Sequence, residues 1–161
     1  MPPIDPRLQK LLDEAGVEYE IIHHRQDFRA RATARDTRTP PQEFAKTVVL
    51  RIDGGYGLAV LPATHDVAPS CIARELGADE VELASEAQMR ELMPECEVGA
   101  APPFGTFYGL PLYASPLLAR DERITFNAGT HRDAVRMAWA DYQRLAKPRI
   151  VHLSHHEEGR A

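Results

Sequence analysis

Apolar residues near the start of the chain recur with the period of an α-helix. They lie at i, i+3, i+4 and i+7, which is the spacing of one helical face. These positions are Leu8, Leu11, Leu12 and Ala15. Asp5 predicts the N-cap of this helix, Pro6 suits its first turn, and Gly16 predicts its end. We therefore expect the fold to begin with an amphipathic helix.

The next segments alternate between apolar and polar residues, which is the period of a strand. Residues 17–21 alternate in this way and predict a half-buried strand. Residues 28–39 have no clear period and predict a loop with a short helix. The clearest hairpin joins a strand over Phe44–Ile52, a turn at 53–55 and a second strand over 56–61.

Helical and extended segments continue to interleave in the second half of the chain. Helices are predicted over 66–76 (closed by Gly77), over 85–93 (with a capping box of Ser85 and Gln88) and over 139–147 (before Pro148). Strands are predicted over 81–83, 110–114, 123–126 and 133–137. No repeat or long linker interrupts them, so we expect one domain over residues 1–150 and a polar, solvated tail over 151–161.

Length and composition narrow the class of protein. The chain has 161 residues, of which 43% are hydrophobic and 27% are charged, which is enough apolar material for one core. This composition excludes a collagen-like, wholly disordered or disulfide-rich chain. Cys71 and Cys96 form no CxxC pair, and the N-terminus lacks a basic start followed by an apolar stretch. We therefore expect a cytoplasmic protein without a signal peptide.

Charge is unevenly distributed along the chain. The formal net charge of −5 argues against a general nucleic-acid coat. However, residues 23–51 carry seven basic and three acidic side chains, whereas residues 66–97 carry two basic and nine acidic ones. Residues 120–149 are again basic, with seven basic and four acidic side chains. The arginines of the first basic segment, which could meet phosphates, are Arg25, Arg29, Arg31, Arg35 and Arg38.

An uncharged run over residues 98–119 is long enough to suggest a membrane helix. It contains four prolines and three glycines, more breaks than a membrane-spanning helix could accommodate. We therefore expect this run to form a buried loop and a strand, and we expect no membrane association.

Lys46 is the most informative single residue. Period two places it on one strand face with Phe44, Val48, Leu50 and Ile52, opposite a more polar face of Ala45, Thr47, Val49, Arg51 and Asp53. A lysine on an apolar face must either extend to solvent or line a cavity. Because lysine is seldom fully buried, the sequence alone favours extension to solvent.

Two glycine-containing segments could contribute to a binding site. Residues 99–105 combine two prolines with two glycines, and such a loop could present backbone N–H groups to an oxyanion, with Phe104 as a wall. Residues 127–131 follow a strand and could place Gly129 and His131 at the rim of a pocket, where the histidine could move a proton. Taken alone, each segment is more typical of a plain turn, the second with an exposed histidine.

Other chemistry has weak support. His152, His155 and His156 could bind a metal, but histidines in a terminal segment are more typical of a solvated tail. Cys71 lies on a predicted helix beside apolar residues, which favours a packed thiol over a nucleophile. The sequence has no GxSxG, HExxH, P-loop or GxGxxG motif. We therefore expect no covalent nucleophile, metal or cofactor.

Together, the segments FAKTVVL, GAAPPFG and NAGTH resemble the YbaK-like family, the editing domains related to the insertion domain of bacterial prolyl-tRNA synthetases. The resemblance covers nearly the whole chain. It implies a mixed α/β domain with a curved, barrel-like, largely antiparallel or mixed β-sheet flanked by helices. Carried over residue by residue, it implies catalytic roles for Lys46 and His131, and substrate binding by Gly99, Pro103, Phe104, Gly105 and Gly129.

The resemblance also implies an activity, namely that of a freestanding aminoacyl-tRNA deacylase that hydrolyses the ester of a mischarged tRNA. Because this ester is already activated, an oriented water suffices without a covalent intermediate. The implied partners are the acceptor end of tRNA and an aminoacyl-tRNA synthetase, with the protein a monomer or weak homodimer. One alternative is a non-catalytic module of the same fold that binds a small ligand or docks on a synthetase. Another is a metal-dependent hydrolase that uses the terminal histidines.

Overall fold

Helices and strands interleave along residues 4–155, which are the residues that the computed structural model describes. In chain order the elements are α1 (Pro6–Ala15), β1 (Tyr19–His23), α2 (Ala30–Asp36), β2 (Phe44–Ile52), β3 (Gly55–Pro62), α3 (Pro69–Leu76), β4 (Val81–Leu83), α4 (Glu86–Leu92), β5 (Leu112–Ala114), β6 (Arg123–Thr130), β7 (Asp133–Ala138), α5 (Trp139–Ala146) and β8 (Arg149–Ile150). Short 3-10 helices lie at Gly105–Phe107 and Leu118–Arg120.

All of these strands belong to one mixed sheet. Seven of them follow the order β1-β7-β6-β2-β3-β5-β8, and β4 pairs with the far end of β2. The β2–β6, β3–β5 and β5–β8 pairs are parallel, whereas the other pairs are antiparallel. The predicted mixed α/β fold is therefore confirmed. Within residues 4–155 the end strands β1 and β8 do not pair with each other, so the sheet is not a closed barrel.

The predicted hairpin of β2 and β3 is confirmed, and it sets the position of Lys46. Asp53 and Gly54 both have positive φ angles, 49° and 84°, as a two-residue type I′ turn requires. This turn fixes the register in which Lys46 lies opposite Leu61. Because β2 also pairs with β4 and β6, Lys46 is carried by a central strand of the sheet.

Both faces of β2 are covered by apolar side chains, which corrects the prediction of one polar face. On the face predicted to be polar, Ala45 and Val49 are buried in the largest hydrophobic cluster. On the face of Lys46, Leu50 is fully buried in a second cluster. Alternation fails as a guide here because a central strand covered on both sides is apolar on both faces.

Local sequence signals place most helix ends correctly. The Asp5 side chain accepts a hydrogen bond from the backbone N–H of Arg7 at 2.9 Å, and Gly16 ends α1 in the left-handed conformation. Ser85 and Gln88 form the predicted capping box of α4. These signals act within one turn of chain, so they survive in the folded protein.

Helix α3 is shorter than predicted, because it begins at Pro69 rather than at Asp66. Proline suits the first helical position, where its missing N–H group has no partner to lose. Asp66 lies outside the helix, and its side chain instead contacts Lys46. The predicted helix end at Gly77 is confirmed.

The uncharged run over residues 98–119 forms a loop, short 3-10 turns and β5, as predicted. Residues 100–105 of this loop are all buried. No helix in the part of the chain that the structure describes is long and apolar enough to cross a membrane.

The predicted polar tail is wrong for its first residues. Val151 and Leu153 are buried in the second hydrophobic cluster beside Ile72 of α3. Val151 N donates to the carbonyl oxygen of Ala114 at 3.1 Å, which continues the contact made by β8. Residues 156–161, with His156, lie outside the described residues, and the domain boundary at residue 150 stays a prediction.

Candidate active site

A small cavity of about 180 Å³ opens beside the middle of β2. Three of the residues predicted for the site meet there, although they are far apart in the sequence. These are Lys46, Gly99 and His131. Small or polar residues complete much of the lining, among them Ala45, Thr47, Ala101 and Asn127. The strand lysine, the glycine–proline loop and the end of β6 therefore form one site.

Lys46 both lines this cavity and reaches solvent. Its side chain is 23% exposed, and Nζ donates to Asp66 Oδ1 at 2.9 Å. This hydrogen bond and the charge of Lys46 lower the pKa of Asp66 below its usual value. Asp66 itself is 97% exposed, and exposed ion pairs contribute only about 0–1 kcal/mol. A phosphate or carbonyl group could therefore replace Asp66 as the partner of Lys46 at low cost.

Gly99 lies in the cavity wall directly against His131. Its φ angle is +83°, a conformation that other residues rarely adopt, and a Cβ here would lie 3.6 Å from His131 Cε1. The next residue, Ala100, is fully buried, and its carbonyl oxygen accepts a hydrogen bond from Gly129 N at 2.8 Å. The backbone of residues 99–101 is thus held against β6.

The rest of the glycine–proline loop lies in the core and does not reach the cavity. Phe104 is fully buried, with its ring centroid 5.3 Å from that of Tyr142. Tyr142 Oη donates to the carbonyl oxygen of Pro103 at 2.7 Å. A Cβ on Gly105 would overlap the backbone oxygen of Leu110. These three loop residues therefore support the site from behind, and Phe104 forms no wall of this cavity.

His131 is 4% exposed, which corrects the prediction of an exposed histidine, although it does lie in a turn, at residues 131–132 between β6 and β7. Strand β6 continues to Thr130, so residues 127–130 are extended rather than a turn. Strand β7 pairs with β6 and stabilises this extension. The register shifts between Asn127 and Thr130, after which Thr130 lies opposite Asp133. This partner comes from later in the chain, so the spacing of residues 127–131 alone could not reveal it.

The hydrogen bonds of His131 define which ring nitrogen is free. His131 Nε2 lies 2.6 Å from the carbonyl oxygen of Val98, and because a carbonyl only accepts, Nε2 carries the hydrogen. The backbone N–H of His131 donates to Glu97 Oε1 at 2.7 Å. His131 Nδ1 is buried and has no hydrogen-bond partner within residues 4–155. In a neutral ring, Nδ1 is therefore an unused acceptor.

Asn127 is a candidate site residue that the sequence analysis did not single out. It lines the same cavity, and its Oδ1 is a second buried acceptor without a partner in the described part of the chain. The sequence feature that could have indicated a site here is a polar asparagine between the apolar residues Phe126 and Ala128 of one strand. A buried polar atom without a partner costs about 1–3 kcal/mol. The two acceptors therefore favour a ligand that donates hydrogen bonds.

Gly129 lies behind the cavity and does not line it. Its φ angle is +112°, and a Cβ here would lie 3.5 Å from the Cβ of Asp5. Its backbone contacts hold residues 97–100, because its N–H donates to Ala100 O and its carbonyl accepts from Glu97 N. Gly129 is therefore a positioning residue for the loop that carries Gly99.

The cavity shares part of its wall with a larger groove of about 520 Å³. Phe28, Ala30 and Lys46 line both spaces. The groove is additionally lined by Arg29, Arg31 and Arg35 of the first basic segment. Three of the five arginines that could meet phosphates therefore lie in one groove with Lys46.

The other arginines of that segment lie outside the groove lining. One of them is Arg25, whose Nε donates to Asp36 Oδ2 at 3.2 Å. Arg31, by contrast, lines the groove, and its Nη2 donates to the carbonyl oxygen of Thr64 at 3.0 Å. Arg31 is thus held at the groove by a backbone carbonyl, and its charge also helps to lower the pKa of Asp66, which lines the same groove. The groove is an electropositive surface that begins where the cavity ends.

A separate groove of about 550 Å³ lies between the end of α1 and α5, away from the basic one. Its charged side chains neutralise one another: Arg144 pairs with Asp141 at 3.1 Å, and Arg136 lies 3.6 Å from Glu20. The smaller cavity is the better candidate for chemistry because its buried acceptors lack partners.

A half-buried ion pair outside the cavity holds the loop and β6 in place. The guanidinium of Arg7 donates to both carboxylate oxygens of Asp5, at 3.1 and 2.7 Å, and to the carbonyl oxygen of Phe107 at 3.0 Å. Asp5 N in turn donates to Ala128 O at 2.9 Å. Burial alone raises the pKa of Asp5, but the hydrogen bonds from Arg7 outweigh it and lower this pKa below 3.8.

We expect Asp5→Asn to lower the free energy of unfolding by about 1–3 kcal/mol at pH 7. Because the pKa of Asp5 is depressed in the folded protein, its contribution is present above pH 3.8 and is lost as the pH falls below that value. Between pH 7 and pH 3, the free energy of unfolding measured in urea should therefore fall less for the variant than for the wild type. Asp66→Asn is the matched control, and its effect should be smaller because Asp66 is exposed. Equal effects of the two substitutions would contradict the role of the Asp5–Arg7 pair.

The thiols of the protein are poorly suited to nucleophilic attack. Cys71 is buried, as predicted, with its Sγ 3.9 Å from the carbonyl oxygens of His152 and Ser154. Burial raises the pKa of Cys96 to about 11, so it is a neutral thiol at pH 7. Residues 4–155 contain no group of three or more His, Cys, Asp or Glu side chains that could hold a metal.

Comparison with known proteins connects this geometry to an established family. The sequence pattern of the aminoacyl-tRNA editing domain matches residues 24–145, which include Lys46, Gly99, Asn127 and His131. The chain is 34% identical over 152 residues to the multifunctional Ser/Thr-tRNA deacylase ProXp-y of Escherichia coli K12. This alignment covers 91% of the present chain and 90% of the relative.

Two solved structures show the same fold at low sequence identity. A proposed trans-editing enzyme for prolyl-tRNA synthetase has a TM-score of 0.82 at 20% identity, with 96% of this chain and 99% of that chain covered. The hypothetical protein APE2540 also has a TM-score of 0.82, at 14% identity, with 92% and 99% covered. Both the match over residues 24–145 and the identity to ProXp-y show that the chain belongs to the aminoacyl-tRNA editing domain family.

Proposed function

We propose that this protein is a freestanding aminoacyl-tRNA deacylase, acting in the cytoplasm on mischarged tRNA. The observation that carries the proposal is the small cavity beside Lys46, which opens directly onto a groove lined by three arginines. The aminoacyl group enters the cavity, and the phosphates of the acceptor end lie against the arginines. The protein acts on this end of the tRNA as a monomer or weak homodimer, with or without a synthetase beside it.

The proposed reaction is hydrolysis by an oriented water. The water attacks the ester carbonyl carbon, the bond to the ribose oxygen breaks, and the amino acid leaves as a carboxylate. Of the two protons of the water, one ends on the ribose oxygen and the other passes to solvent. Lys46 Nζ stabilises negative charge on the substrate oxygens, and the backbone of residues 99–101 lies against the carbonyl. The burial of Cys71 and the raised pKa of Cys96 support a path without a covalent intermediate.

The cavity supports a small amino acid that can donate hydrogen bonds. Its volume of about 180 Å³ corresponds to roughly six waters at ~30 Å³ each, which is ample room for the side chain of serine or threonine. His131 Nδ1 and Asn127 Oδ1 accept hydrogen bonds from the amino group or a side-chain hydroxyl of the substrate. The relative ProXp-y is a Ser/Thr-tRNA deacylase, and we propose seryl and threonyl esters as substrates of this protein as well.

A panel of mischarged tRNAs tests this proposal. Seryl- and alanyl-tRNA form one matched pair, and threonyl- and valyl-tRNA form a second pair in which a methyl group replaces the hydroxyl at similar size. We expect each hydroxyl-bearing ester to be cleaved at least about 10-fold faster than its partner, because the partner leaves a buried acceptor unpaired. Loss of ester is followed by release of radiolabelled amino acid. Saturable binding without ester loss from any tRNA would overturn the deacylase and favour a non-catalytic module.

A further inference from the structure

Phe28 is an exposed aromatic residue at the point where the cavity and the groove meet. Its side chain is 70% exposed, more than that of any other large hydrophobic residue within residues 4–155. It nevertheless lines both the 180 Å³ cavity and the 520 Å³ groove. Leaving a phenylalanine in water forgoes the favourable burial of its ring. A ring at this junction is therefore well placed to be covered by a ligand.

The contacts of Phe28 leave much of its ring available. The ring packs against His131 with centroids 4.7 Å apart and an interplanar angle of 58°. This is the one aromatic contact that the structure gives Phe28, and it covers the ring on the cavity side. Arg29 and Arg35, which line the groove beside it, are exposed. An aromatic ring next to exposed arginines is the arrangement by which proteins hold single-stranded nucleic acid.

The order of groups in an aminoacyl-tRNA matches this layout. The amino acid is joined through the ester to the ribose of the terminal nucleotide, and the base of that nucleotide projects from the same ribose. If the amino acid fills the cavity, the ribose lies at its mouth beside Lys46, and the base lies one group further out. Phe28 lines both the cavity and the groove, so it lies where the two meet, and the arginines line the groove beside it.

We propose that the exposed face of Phe28 is a stacking platform for the base of the 3′-terminal nucleotide of tRNA. This inference rests on the proposed deacylase function and adds a binding contact to it. Stacking accepts any base because every base has a π-face, so Phe28 holds the terminal nucleotide without reading its sequence. The arginines hold the phosphates, and the cavity selects the amino acid.

Substitution of Phe28 tests the platform by steady-state kinetics with the fastest-cleaved mischarged tRNA. Phe28→Ala should raise KM on the order of 10-fold with kcat little changed, because stacking binds the ground state and the transition state equally. Phe28→Leu should show the same loss, since leucine is apolar but cannot stack, whereas Phe28→Trp should keep the wild-type KM. Leu83→Ala, at a residue 56% exposed on β4, is the control for loss of an exposed apolar side chain. A wild-type KM in Phe28→Leu would overturn the proposal.

A binding measurement separates this inference from the proposed function. In Phe28→Trp, the new indole reports on stacking by fluorescence, and the wild type with its buried Trp139 gives the baseline. The probes are a deacylated RNA minihelix that ends in CCA and the same minihelix with an abasic terminal ribose. We expect the minihelix with the terminal base to quench the fluorescence of the new indole, and the abasic minihelix to leave it unchanged. Equal quenching by both, or quenching by neither, would overturn the stacking role. This result stands even if the wild type cleaves no ester, an outcome that would refute only the deacylase.

Discussion

Replacing Lys46 with alanine is expected to slow deacylation by a factor of about 10²–10³, the loss seen when an enzyme loses one group that stabilises developing charge. The expectation follows from the position of Nζ at the cavity, where its present partner is the exposed Asp66. Lys46→Met should show a similar loss, because it keeps the aliphatic chain that packs against the cavity and removes only the charge. Single-turnover hydrolysis of the preferred ester measures both.

The same substitutions should hardly affect folding. The ion pair of Lys46 with Asp66 is largely exposed, so its loss should cost no more than about 1 kcal/mol of unfolding free energy. Arg90→Ala is the matched control, since it removes an exposed ion pair with Glu86 at 3.2 Å, and neither residue lines the cavity or the groove. That variant should keep full activity. Full activity in Lys46→Ala would show that the lysine has no part in the reaction.

Phe104→Ala is expected to lower the free energy of unfolding by about 3–5 kcal/mol. The ring is fully buried among Phe107, Phe126 and Tyr142, with centroid distances of 5.3, 6.0 and 5.3 Å. Its removal leaves a cavity in the centre of the core that the surrounding side chains can fill only in part. Urea unfolding at pH 7 measures the change directly.

Phe28→Ala is the matched control, because it removes the same ring from a 70% exposed position. Its effect on unfolding should stay within about 0.5 kcal/mol. The two variants should therefore separate cleanly, with Phe104 needed for stability and Phe28 for binding of tRNA. A small effect of Phe104→Ala on stability, together with a changed substrate preference, would instead favour the wall that the sequence motif suggests.

Local chemistry accounts for the parts of the fold that could be predicted. The cap at Asp5, the capping box at Ser85 and the turn at Asp53 each depend on contacts within a few residues. The predictions that failed depend on distant partners. His131 is buried because residues 97–99 and Phe28, from distant parts of the chain, pack against it. The first residues of the predicted tail are buried because Val151 and Leu153 join the cluster that contains Ile72 of α3.

The candidate site could be predicted only in part for the same reason. The sequence predicts Lys46 as a site residue because its charge lies on the apolar face of a strand. It predicts Gly99 because this residue begins the glycine–proline segment of residues 99–105. The motif could not show that the chain turns inward after Ala101 and places Phe104 in the core. Asn127 became a candidate only because its Oδ1 lacks a partner, which is a property of the folded arrangement and not of the residue type.

The central position of β2 has a consequence for how this protein can change over evolutionary time. Because β2 pairs with three other strands, Lys46 lies where local opening of the chain is most costly. Phe28 and Arg29 lie instead on a surface loop, whose substitution disturbs few neighbours. If Phe28 and the arginines hold the acceptor end as proposed, mutations in that loop adjust how tightly tRNA is held and leave Lys46 in place. On that proposal, the affinity for tRNA and the capacity for hydrolysis can diverge independently within one small domain.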